Sequence, residues 1–241
     1  MKNRTASRKS FHENSCLVDL ILVFLLHQVL PINQLQKTLG LQVFQVLLDH
    51  HVLCEEMVEG MSEEKYCFAS VALWPVGEGE DGTDLLLATD FESTCFSDAT
   101  EPAMYLSQDS LALRSTSPRC PIRRVLDLCC GCGIQGIWAL NNYAESAVFV
   151  DVNPRCLSFT SFNLCLNGLQ HKCECLLQQD ICESCSSLDS LGLFDLILAN
   201  PPFIPNPLNI ATGASLLFGN GGDDGEDVPQ ICLDGAGYDE I

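Results

Sequence analysis

An apolar run that stops on two prolines, Phe194-Asp195-Leu196-Ile197-Leu198-Ala199-Asn200-Pro201-Pro202-Phe203, restricts the folds open to this chain more than any other stretch. A short, nearly continuous apolar segment of this kind is a central parallel strand, buried on both faces. It delivers a rigid loop at its carboxyl end, where open α/β sheets place their ligands. Pro201 and Pro202 carry no N–H and a fixed φ, so the carbonyls around them remain acceptors that no helix consumes. Asn200 adds a side-chain acceptor and Phe203 an aromatic face. Two acceptors and a ring suit a planar –NH2 group, whose protons the acceptors take while the ring covers its π face.

Three further strands precede this one. Ile122-Arg123-Arg124-Val125-Leu126-Asp127-Leu128 runs into a turn containing Gly131, Gly133 and Gly136, which opens a helix. Residues 147–150 form a second strand ending in Asp151, and Pro154 starts a helix that stops at Asn167-Gly168. Residues 173–178 form a third, with Asp180 just beyond it. Strands alternating with helices at this spacing make right-handed crossovers and a parallel sheet, so an α/β Rossmann-like domain is expected over residues 121–241.

The chain before it reads differently. Residues 1–15 are a polar, basic stretch expected to be a disordered tail. A helix is expected over 17–30, ended by Pro31, a second over 32–39, stopped by Gly40, and a third from Leu41 to Leu48. Two β-rich runs, 66–74 and 84–88, follow, separated by a glycine-rich turn. Three helices and a hairpin outline a small winged-helix-like α+β domain over residues 16–90. Its third helix leads into Asp49, His50 and His51 instead of Lys or Arg, which favours a lid or protein contact over DNA reading. Residues 91–120 are a connector, in which 104–113, with Tyr105, Ser107, Asp109 and Ser110, is expected to form a helix over the ligand pocket.

Charge narrows the partners. Twelve Lys and Arg against 32 Asp and Glu leave a net charge of −20, which opposes general binding to nucleic-acid backbones. The fifteen cysteines show no framework spacing in a chain with its own core, so they read as reduced thiols of a cytoplasmic protein. Cys173, Cys175, Cys182 and Cys185 have zinc-like spacing, but Asp180 among them is wanted as a ligand contact, and no metal is expected. No apolar run is long enough to cross a bilayer.

The Gly131-x-Gly133-x-x-Gly136 spacing with an acid at Asp151 also fits a nicotinamide dinucleotide site. Asp127 argues against it, because a carboxylate just before the glycine turn repels a pyrophosphate. It suits a cationic ligand such as S-adenosylmethionine, which has an ammonium and a sulfonium and no phosphate. Asp151 then accepts from the ribose hydroxyls and Asp180 from the adenine amine. Taken singly, Asp127 and Asp180 are equally suited to be a helix cap and a turn former.

Asp127 to Gly133, Asp151-Val152-Asn153-Pro154-Arg155, Asn163 to Gly168 and Asn200 to Phe203 together resemble the class I S-adenosylmethionine-dependent methyltransferases of the small-domain group, over residues 122 to about 228. The resemblance implies that Asp127, Cys129, Gly131, Gly133, Gln135, Asp151, Val152, Asp180 and Asn200 bind the cofactor. It implies further that Asn200, Pro201, Pro202 and Phe203 hold the acceptor nitrogen. Cys129 stands where the family has its first glycine and narrows the methionine end. Members methylate the glutamine amide of release factors or the exocyclic amines of bases in rRNA and other nucleic acids. The charge balance favours a protein glutamine, although Arg114, Arg119, Arg123 and Arg124 offer a nucleotide strand some guidance.

Only 38 residues follow Phe203, rich in Gly and Asp, whereas the family's sheet has further strands there. The reading is therefore of a domain incomplete at its C-terminus, its fourth strand an exposed edge that a partner subunit covers. A catalytically inactive binding module is the alternative from another class.

Overall fold

The computed structural model describes residues 6–56, 65–78, 82, 84–95, 105–183, 188, 190–206 and 219–235. The contacts divide the chain into two units, Met1–Leu73 and Trp74–Ile241.

In the first unit α1 (Ala6–Phe24) is followed by β1 (Leu30–Pro31), α2 (Ile32–Leu39), α3 (Leu41–Asp49), β2 (Leu53–Glu56) and β3 (Tyr66–Ala69). The strands form an antiparallel sheet in the order β1–β3–β2. Its core gathers Val23, Phe24, Leu35, Phe44, Leu53, Cys67 and Ala69. Asp19, buried in α1, accepts from Gln34 Nε2 and Thr38 Oγ1, both at 2.6 Å, and so ties α2 to α1. Three expectations are corrected here. Residues 6–15 are helical, since α1 begins at Ala6. The helix ends at Phe24, and Pro31 lies in a short strand. The 66–74 run is two strands broken at Ser70 and Val71: the first, β3, pairs with β2, while the second, from Ala72, pairs with residues 84–89 as the expected hairpin does.

The second unit contains β4 (Ala72–Glu78), in which the unit boundary falls, and its partner β5 (Asp84–Thr89). Then come α4 (Glu92–Cys95), α5 (Gln108–Thr116), β6 (Ile122–Leu128), α6 (Ile134–Asn142), β7 (Ala144–Asp151), α7 (Pro154–Leu166), β8 (Cys173–Gln178), β9 (Leu196–Ala199) and α8 (Asp227–Gly235). β6 to β9 form one parallel sheet in the order β8–β7–β6–β9. Side chains alternate across its strands. Leu126, Leu128, Val148 and Val150 build one core face, against which Ile197, Ala199 and the α8 residues Val228, Ile231 and Cys232 pack. Asp127 and Phe149 point to the opposite face, under α6. Among the described residues β9 pairs on one side only, with β6.

α7 is fastened to the rest of its unit by polar side chains. Asn163, fully buried, accepts from the Ala88 N–H at 2.7 Å and donates to the carbonyls of Ala88 and Cys132, each at 2.9 Å. One turn later Asn167 makes the same two-way pairing with Leu86, at 3.0 and 2.7 Å. Residues four apart share a helix face, and residues two apart share a strand's hydrogen-bonding edge, so two asparagines substitute for a missing neighbour strand along β5. Arg155, over the Phe159 ring, grips the buried Asp90 with two nitrogens. Replacing Asn163 by Ala strands a buried N–H and two buried carbonyls, and is expected to cost about 3 kcal/mol in denaturant unfolding. Asn167→Ala, at the exposed end, is expected to cost about 1 kcal/mol.

Candidate active site

The turn after β6 is shaped by backbone requirements. Cys129, Gly131 and Gly133 all have left-handed φ values, 56°, 54° and 82°. A Cβ on Gly133 would lie 2.8 Å from Thr160 Cγ2, and one on Gly136 would lie 2.3 Å from the Phe149 ring. Those two glycines therefore serve the packing of α7 and of the sheet on the turn. Gly131 differs: nothing lies within 4 Å of where its Cβ would be, so its open side is free for a ligand to approach the backbone. α7 holds the turn from behind, Thr160 Oγ1 donating to the Gly131 carbonyl at 3.1 Å and Asn163 to that of Cys132.

Asp151 at the end of β7 secures the front. Its Oδ2 accepts from the Gly131 N–H at 2.8 Å and its Oδ1 from the Asn153 N–H at 2.9 Å, and Asn153 in turn caps α7 at Arg155. Burial raises the Asp151 carboxyl above its usual range, opposed by hydrogen bonds from Asn153, Gly131, Cys156 and Val152. Asp180 folds its own loop, accepting from the Cys182 N–H at 2.9 Å.

These elements enclose a cavity of about 230 Å³ at the carboxyl ends of the strands. Cys129, Gly131, Gln135, Asp151, Val152, Asp180 and Asn200 line it, as expected for cofactor contacts, and so does Pro202. Tyr105, Leu106 and Ser110 join them from the connector, whose helix α5 starts at Gln108 under a Ser107 cap and not at position 104, which lies outside the described residues. Asn153, Gln179, Cys182, Asn220 and Val228 also contribute, and sequence reasoning missed them. Gln179 and Cys182 flank Asp180, so their place at a strand end was the available signal. Among the described lining residues there are two carboxylates and no Lys, Arg or His.

Four expected site residues lie off the lining. Gly133 serves the turn and Pro201 leads into it. Asp127, 1% exposed, sits behind the turn because strand alternation directs it under α6, where its Oδ2 accepts from the Gly136 N–H at 2.7 Å. Gly133, at the cap of α6, has no side chain to do this, so Asp127 performs the capping from the strand. Burial holds its carboxyl well above the usual range, the Gly136 N–H opposing the shift and the Asp151 charge adding to it. Its Oδ1 has no partner. Phe203, 52% exposed, has its backbone clamped by the glycine-rich stretch. The Ile204 N–H donates to the Gly219 carbonyl at 2.7 Å, and a Cβ on Gly225 would lie 2.4 Å from the Phe203 carbonyl oxygen. The sequence 219–225 is thus a fitted strap over the Asn-Pro-Pro-Phe loop. Cys129 hydrogen-bonds Cys232 of α8, a contact that with burial drives its thiol up. Cys185, one of the four zinc-spaced cysteines, lies outside the described residues.

Residues 106–214 match the family model of the methyltransferase small domain. The matched segment spans α5, the glycine turn, the parallel sheet and the Asn200 loop. A protein of Methanocaldococcus jannaschii that carries the name protein N5-glutamine methyltransferase is 29% identical over 129 residues, 53% of this chain. The chain spans 59% of the length of that relative. Among solved structures, a SAM-dependent methyltransferase from Agrobacterium tumefaciens is 20% identical, with a TM-score of 0.41 over 75% of this chain and 53% of the other. The M. jannaschii tRNA m1G37 methyltransferase is also 20% identical, with a TM-score of 0.32 over 47% of this chain and 31% of the other.

Asp127 yields a prediction for the domain's pH dependence. A carboxyl whose folded pKa is raised stabilises the fold below its unfolded value, near 3.8, and loses that contribution as pH rises through the folded value. Asp127→Asn cannot ionise. Its thermal midpoint relative to the wild type is expected to rise as pH increases above the unfolded value of 3.8. A difference that stays flat with pH would contradict this assignment.

Proposed function

We propose that this protein is an S-adenosylmethionine-dependent N-methyltransferase whose acceptor is the side-chain amide of a protein glutamine. The observation that carries the reading is the lining itself: carboxylates at two strand ends, no cation among the described lining residues, and an asparagine amide, arranged over an open glycine turn. A dinucleotide or nucleotide phosphate entering here would meet like charge, whereas an ammonium and a sulfonium meet opposite charge. The residues fit the cofactor. Gly131 lets it approach the backbone. The Asp151 carboxylate, held by the Gly131 and Asn153 N–H groups, faces the cavity where it can share its oxygens with ribose hydroxyls, and Asp180 Oδ2 is available to an adenine amine.

Bound S-adenosylmethionine supplies an electrophilic methyl group on its sulfonium sulfur. The chain's part is positioning. Accepting from both protons of a planar –NH2, Asn200 Oδ1 and the Pro201 carbonyl draw the nitrogen lone pair out of conjugation, and no described lining residue is a strong base. Glutamine agrees with the name of the archaeal relative and with the net charge of −20. A base amine brings phosphates, and the described lining residues offer them no Lys or Arg.

Isothermal titration is expected to show S-adenosylmethionine binding that Asp151→Ala weakens by at least about tenfold, with no binding of NADH. Tritiated S-adenosylmethionine given to the protein with cell extract is expected to leave label that survives nuclease and disappears with protease, and Asn200→Ala is expected to abolish it. Label that survives protease and disappears with nuclease would make the acceptor a nucleobase.

A further inference from the structure

Two of the side-chain amides that line the cavity, Gln135 and Asn200, are oriented by one residue of α5. Gln135, 3% exposed, donates Nε2 to the Ser110 carbonyl at 2.9 Å, and its Oε1 is buried without a partner. Asn200 donates Nδ2 to Ser110 Oγ at 3.2 Å. Each amide thus uses its –NH2 on Ser110 and keeps its oxygen as the unused group. Ser110 is itself fixed: it is 7% exposed, its N–H reaches Ser107 Oγ at 3.4 Å, and the two serine oxygens are 3.1 Å apart. Since Ser110 Oγ accepts from Asn200, its own proton is free to go to Ser107 Oγ.

A hydroxyl alone does not set the direction of an amide, because it both donates and accepts. Asp109 does. Its Oδ2 lies 3.5 Å from Asn200 Nδ2, and a carboxylate only accepts. Turning the amide over would put Asn200 Oδ1 against that charge.

We propose that Ser110 and Asp109 are positioning residues that hold Asn200 with its oxygen toward the cavity, while the Ser110 backbone does the same for Gln135. The cavity then selects a pair of ligands that each present N–H donors: an ammonium-bearing cofactor beside Gln135 and a planar –NH2 beside Asn200. The second half rests on the function proposed above. The two contacts are separable, because Gln135 is held by a main-chain carbonyl and Asn200 by a side chain.

The test uses the full chain with S-adenosylmethionine and a glutamine-containing peptide, comparing wild type, Ser110→Ala, Ser110→Thr and Asp109→Asn. Ser110→Ala is expected to lower kcat about tenfold to a hundredfold, with KM for the peptide changing less. Its Kd for S-adenosylmethionine, read by titration without acceptor, is expected to stay within about twofold, since the bond to Gln135 survives. Ser110→Thr, which restores the hydroxyl, is expected to regain most of the lost kcat. Asp109→Asn, which keeps size and removes the charge that orients the amide, is expected to lower kcat in the same way with an unchanged thermal midpoint. If the wild type labels the peptide and kcat is unaffected in both Ser110→Ala and Asp109→Asn, the positioning role is wrong and the proposed function stands. A fall in cofactor affinity equal to the fall in kcat would make Ser110 a cofactor contact and overturn the proposal. A wild type that binds S-adenosylmethionine and leaves the peptide unlabelled overturns the glutamine reading together with the half that rests on it.

Discussion

The carboxylate of Asp151 holds the glycine turn and the start of α7 in one grip. One oxygen takes the Gly131 N–H and the other the Asn153 N–H, so the turn after β6 and the cap of the helix after β7 are set relative to each other by a single buried side chain. The same group is charged and faces the cavity. Burying a carboxylate is costly, and the upward shift of the Asp151 carboxyl expresses that cost, offset by its hydrogen bonds. The residue that ties the turn to α7 is thus also one that lines the cavity.

The parallel sheet, its strands, the glycine turn and the Asn200 loop were legible in the sequence, because each is encoded locally by apolar runs and by glycine and proline positions. The three strand-end acids show how far such reading goes. Asp151 and Asp180 lie on the cavity lining, and both also bind backbone N–H groups of their own loops. Asp127 lies one residue before the end of β6, level with Phe149 on β7, and it caps α6. Register separates the acids: Asp151 ends its strand two residues beyond Phe149 and reaches the cavity, whereas Asp127 stops short of that level and stays under α6.

What escaped reading depends on contacts distant in sequence. Asn163 and Asn167 were visible as a motif, but their partners on β5 lie 75 and 81 residues away, so their service as a substitute strand could not be inferred from spacing. Asp90, which receives Arg155, and Ser110, which receives both amides, stood in stretches without periodicity. The glycines between 219 and 225 looked like a featureless acidic tail. Their meaning is steric: Gly221 and Gly225 lie against the backbone at Phe203, where any side chain would collide. Turn composition shows that a chain bends and leaves open what it bends against.

Asp151 and Asn200 line one cavity, where the proposed function brings a methyl donor beside a planar amide. The most direct measurement is a crystal structure of the protein with S-adenosylhomocysteine. The account predicts the ribose hydroxyls on the Asp151 carboxylate, the adenine amine at Asp180 and the sulfur turned toward Asn200. A ligand bound away from the glycine turn, or bound there with its sulfur directed away from Asn200, would contradict it.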